Sequence, residues 1–145
     1  MRDPVRQLTH DHADINRRVL ELGELVRSGG GADIAAPLRE LSEQLFFHFA
    51  REEEGLFPFV ADAVPACADQ VRTMETAHDT ICGSLARMVH LANAGGDRDA
   101  IAQLFQRFES AYADHASAET ALFASLDQTL DSEQRARLAA LVAGL

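Results

Sequence analysis

At 145 residues, 47% apolar and 25% charged, the chain can bury one sizeable core and shows no compositional bias toward disorder, so one domain spanning 1–145 is expected. A formal net charge of −10 argues against a phosphate-binding surface, which excludes nucleic acid as the expected partner and leaves bound cations as the better match. No stretch approaches the ~18 consecutive apolar residues of a membrane span. The opening "MRDPVRQLTHDH" lacks the apolar centre of a leader, and Cys67 and Cys82 are too few for a disulfide framework, so a cytoplasmic protein with free thiols is expected.

Taken in chain order, Leu8, Ile15, Val19, Leu22 and Val26 recur at helical spacing and predict a first helix over roughly 4–28, stopped by the glycines of "RSGGGAD". A second begins near Asp33 or Ile34, carries Leu38, Leu41, Leu45, Phe49 and Leu56, and is expected to end or kink close to Pro58, before the break at "AVPAC". The third runs over roughly 68–93, with Val71, Met74, Ile81, Leu85 and Met88 inward and "NAGGD" closing it. A fourth, over about 97–127, carries Ile101, Leu104, Phe108, Ala111, Leu122 and Leu126. The tail predicts a short fifth helix capped by Asp131 or Ser132 and packed by Leu138 and Leu141. Long helices with short joins and no β-alternation make an all-α, antiparallel up-down four-helix bundle with a short C-terminal fifth helix the economical architecture.

Six residues of metal-ligand type fall on these four helices: His12 on the first, His48 and Glu52 on the second, His78 on the third, His115 and Glu119 on the fourth. "HFARE" and "HASAE" are both HxxxE, and residues four apart share a helix face, so each motif aims an imidazole and a carboxylate in one direction. The spacing repeats. His12 and His78 are 66 residues apart, His48 and His115 are 67 apart, and so are Glu52 and Glu119, as two copies of a helix hairpin would leave them. Six buried polar groups each lose several kcal/mol of solvation unless compensated, and a metal pair compensates them. Four imidazoles and two carboxylates exceed one tetrahedral zinc but divide between two ions, two histidines each with the carboxylates bridging, and leave room for an exogenous ligand.

Taken singly, any of these histidines is more often a surface or satisfied core residue than a ligand. The conjunction of two HxxxE motifs with a matched repeat favours a di-metal site. His10 lies about 200° around the helix from His12, so both cannot point inward, and His90 lies about 120° off the His78 face and is expected to be structural or exposed. Glu53 and Glu54, rotated away from Glu52, are expected on a solvated face. Phe46, Phe47, Phe49, Phe105, Phe108 and Phe123 are available to close a ligand pocket, with bundle core the commoner role. Tyr112 is available to hydrogen-bond the site, with packing again the commoner role.

The pieces "DHADI", "HFAREEEGLFP", "AHDTI" and "HASAETALF" together resemble the hemerythrin-like, or HHE cation-binding, family over residues 8–126. The resemblance implies a four-helix bundle around two non-haem iron ions, with Glu52 and Glu119 bridging, His12 and His48 on one iron, and His78 and His115 on the other. It implies as partner a small diatomic or peroxide ligand. Oxygen carriers of the family hold a fifth histidine one turn from the first on the third helix, where this chain has Met74 and Cys82, and they end with HxxxxD where this chain has HxxxE. One iron is then completed by water, Glu75 or Cys82. The implied function is binding of dioxygen, nitric oxide or peroxide. The alternatives are a di-iron enzyme turning over peroxide or nitric oxide, and an iron- or oxygen-responsive interaction module.

Overall fold

The computed structural model describes residues 4–28 and 33–143, with side chains described over 13–28 and 33–141. Its elements are α1 (Pro4–Ser28), α2 (Ala35–Arg51), a π-helical turn (Glu52–Leu56), α3 (Phe57–Ala63), a 3-10 turn (Pro65–Cys67), α4 (Ala68–Asn93), α5 (Arg98–Thr129) and α6 (Ser132–Ala143). The chain is all-helical, with no strand among the described residues, and no described helix is long and apolar enough to cross a membrane.

Local chemistry sets the breaks. Asp33 Oδ1 accepts from the Ala35 amide at the start of α2, and Asp97 Oδ1 accepts from the Asp99 amide at the start of α5, each satisfying a donor with no partner inside its helix. Gly95 closes α4 with φ +66°, a left-handed conformation that glycine adopts freely, and the Gly96 amide returns to the Leu91 carbonyl at 2.7 Å. Asp131 and Gln134 form a reciprocal box before α6: Asp131 Oδ1 accepts from the Gln134 amide and Gln134 Oε1 from the Asp131 amide. Leu8 and the glycines of "RSGGGAD" lie outside the described side chains and residues.

The structure corrects two expectations. The second helical run does not end close to Pro58 but continues to Ala63. It widens to π geometry over Glu52–Leu56, and the Phe57 amide bonds to the Glu52 carbonyl five residues back. Pro58 follows directly, and the π turn before it accommodates the ring and the missing N–H within the continuing run. Leu141 is 45% exposed, whereas Leu138 is fully buried, so the short α6 docks through one position rather than two.

Helix α1 packs on α2 and α5, and α4 packs on α2 and α5, while α6 rests on α1 and the π turn. The buried apolar side chains fall into two clusters. One holds Ile15, Val19, Leu22, Leu38, Leu45, Ile81, Leu85 and Phe108, and the other holds Leu56, Phe57, Val71, Met74, Leu122, Leu126 and Leu138. Along α2, α4 and α5 the residues separating the clusters are His48 to Glu52, His78, and His115 to Glu119, so a polar layer interrupts the apolar interior.

Candidate metal centre

Five of the six sequence candidates are buried in that layer. His48 and His115 are 3% exposed, His78 is 2%, and Glu52 and Glu119 are 0%. His12 lies within α1, but its side chain, like that of His10, lies outside the described residues. Glu52, His78, His115 and Glu119 each offer a ligand atom, and all four atoms lie within 4.8 Å of one another. His78 Nε2 and His115 Nε2 are 3.0 Å apart, His115 Nε2 is 2.6 Å from Glu119 Oε1, and His78 Nε2 is 3.5 Å from both Glu119 Oε1 and Glu52 Oε1. His48 approaches from the other side, its Nε2 3.3 Å from Glu52 Oε1 and 4.0 Å from Glu119 Oε2.

The electrostatics are those of two carboxylates forced together in a dry interior. Burial, followed by the neighbouring charge of Glu119, raises the Glu52 pKa well above the ordinary carboxylate value. Burial also acts to raise Glu119, but hydrogen bonds with Glu52, His115, His48 and His78 outweigh it and hold that carboxyl well below. Apart from its contact with Glu119, neither buried Glu52 oxygen has a hydrogen-bond partner. A buried carboxylate with no donor is costly, and a cation placed among four converging nitrogen and oxygen atoms removes that cost. The donor set, imidazole nitrogen and carboxylate oxygen without thiolate, suits iron, manganese or zinc.

The surroundings shield the layer. Phe49, fully inside the helices, stacks on the His78 ring at 3.7 Å between centroids and 12° between planes, and Phe57 lies 5.4 Å away at 25°. Phe105, Phe108 and Phe123 are buried, as their core role anticipates, but Phe46 and Phe47 are 50% and 59% exposed and close no pocket. Tyr112 turns its hydroxyl to Asn16 Oδ1 at 2.7 Å, and Gln44 Nε2 donates to Asp14 Oδ2 at 2.8 Å. Both bonds tie α1 to its neighbours within four residues of His12.

On the third long helix, Met74 is buried in the second apolar cluster, Glu75 is exposed, and Cys82 packs against the first cluster. Among the described residues neither Glu75 nor Cys82 joins the ligand group. His90 and Glu54 are exposed, as their helical angles predict. Glu53 departs from its expected place. It is 41% exposed, yet its Oε1 lies 3.5 Å from His78 Nδ1. Sequence reasoning placed it 100° from Glu52 on a regular helix, and the π turn changes that angle. The signal available was "EEEGLFP" itself, since a proline inside a continuing helix demands a local irregularity.

A groove of about 280 Å³ between α4 and α5 reaches this layer, with His115 and Met74 in its lining beside Ala77, Thr80, Ala111 and Ala118. A fold with a buried histidine and carboxylate group between long helices defines a cation-binding helical protein. The chain belongs to the hemerythrin HHE cation-binding domain family, which matches residues 3–126. Comparison with curated proteins gives no match.

Proposed function

We propose that this protein is a non-haem di-iron protein that binds dioxygen, or a related small ligand such as nitric oxide or peroxide, inside an antiparallel up-down four-helix bundle. His12 and His48 hold one iron, His78 and His115 the other, and Glu52 and Glu119 bridge them. The observation that carries the two-ion reading is the reach of Glu119: Oε1 faces His115 and His78 at 2.6 and 3.5 Å, while Oε2 faces His48 at 4.0 Å. A carboxylate whose two oxygens address imidazoles on different helices is arranged to bridge.

When bound, the iron pair supplies the electrons and the coordination positions that dioxygen or peroxide chemistry requires. The chain's own residues do the remaining work. The carboxylates neutralise the ions and the imidazoles fix their separation. Phe49 and Phe57 exclude water from His78, and the α4–α5 groove beside His115 is wide enough for a ligand of a few atoms. Met74 and Cys82 stand one turn either side of His78, where the oxygen carriers hold a further histidine, and the buried Met74 thioether leaves a hard cation a position for an exogenous ligand. Cytoplasmic residence fits the two free thiols, Cys67 and Cys82.

The test is elemental analysis of protein expressed with iron and then desalted, followed by a spectroscopic titration with nitric oxide and dioxygen. Two irons per chain and a stoichiometric adduct are expected. A single zinc, or no metal, overturns the reading.

A further inference from the structure

Three imidazoles approach the carboxylate pair, and one of them, His78, has a further carboxylate near its outer nitrogen. Its Nε2 faces Glu52, Glu119 and His115, whereas Nδ1 lies 3.5 Å from Glu53 Oε1. Nδ1 of His78, like that of His115, makes no hydrogen bond, but for His78 a carboxylate oxygen stands at ion-pair distance from it. The near-parallel Phe49 and Phe57 rings fix the plane of the His78 ring but not its sense, because a half-turn within that plane exchanges Nδ1 for Cδ2 and Nε2 for Cε1. Polar groups at the inner and the outer edge distinguish the two orientations, and Glu53 is the one at the outer edge. On a regular α-helix Glu53 would be turned 100° from Glu52. The π turn at Glu52–Leu56 brings neighbouring glutamates to opposite edges of one imidazole.

We infer that Glu53 is a positioning residue for His78. Its carboxylate, 3.5 Å away, is placed to accept Nδ1–H with a small closure of that gap, which would fix the ring orientation, leave the Nε2 lone pair directed at the cation, and raise the basicity of that nitrogen. The inference rests on the proposed metal site for its consequence, though not for the geometry that motivates it. Outer carboxylates of this kind are worth 10- to 100-fold in metal affinity. The ion held by His78 and His115 is the one affected.

Two measurements on Glu53→Ala, with Glu54→Ala as the exposed control from the same turn, test this. In metal-free protein, ¹⁵N NMR of the imidazoles should show His78 in the Nδ1–H tautomer in the parent chain and in the control, and a tautomer mixture in Glu53→Ala. In a cobalt(II) titration followed by visible absorption, Glu53→Ala should weaken one of two binding steps 10- to 100-fold, and Glu53→Gln, which keeps an acceptor oxygen, should recover part of the loss. An unchanged tautomer in Glu53→Ala, or two binding steps within twofold of the parent, overturns the inference. If the parent binds no metal while its tautomer still depends on Glu53, the positioning of His78 stands and the di-metal reading fails.

Discussion

Glu52 shows at the scale of one residue how a binding site opposes stability. Its folded pKa is raised, so its contribution to stability is present below the unfolded carboxylate value and is lost as pH rises through the folded value. Glu52→Gln should therefore raise the melting temperature of the metal-free protein at neutral pH and flatten its fall toward higher pH, measured by circular dichroism, while lowering bound metal. Glu52→Ala and Glu119→Ala should each reduce metal content sharply, and His90→Ala should not, because His90 is exposed and outside the ligand group. Retention of two metals by both glutamate variants would overturn the ligand assignment. The Cys82 thiol is pushed up to about 11 by burial and by the charges of Glu53 and Asp79. Its alkylation by iodoacetamide should be slow at pH 8 and accelerate above pH 10, read by mass spectrometry.

The second helical run carries the argument at the scale of the element. Its apolar positions Leu38, Leu41, Leu45 and Phe49 are spaced for a regular helix, and so are His48 and Glu52, which is why both sets were legible without coordinates. The irregularity beyond them was not, because the angle between neighbouring residues is lost once the hydrogen bonds lengthen to five residues. Gly55, buried in the π turn where α6 packs, and Pro58 just after it are the visible traces. Pro58→Ala should change stability by less than about 1 kcal/mol, since the π turn already accommodates the ring and the missing N–H, whereas relief of an unaccommodated interior proline would yield about 3 kcal/mol. Chemical denaturation decides between these values.

At the scale of the whole molecule, two apolar clusters flank a polar layer that neither can satisfy. A ligand that binds only the folded form adds RT ln(1 + [L]/Kd), or about 2.7 kcal/mol at a hundredfold excess over Kd. Iron(II) under anaerobic conditions should accordingly raise the melting temperature by several degrees, and a chelator should reverse the shift. Phe49→Ala should lose about 3–5 kcal/mol through the cavity it leaves and should loosen His78 as well. Its melting temperature should fall with or without iron.

The sequence by itself determined the helical class, the approximate helix bounds and the ligand types, because all three follow from periodicity and spacing along one chain. His48 with Glu52 and His115 with Glu119 stand out because residues four apart share a helix face, and His78 by the repeat with His12; all five are buried in the polar layer. What surrounds each face was left to the tertiary structure. Tyr112 meets Asn16 across α1, Phe46 and Phe47 open to solvent while Phe49 covers His78, and Leu141 stays exposed. Glu53, in the π turn, stands 3.5 Å from His78 across the gap between two helices. Contacts between helices depend on which neighbours the packing brings within a few ångströms, and that information is spread over the whole chain.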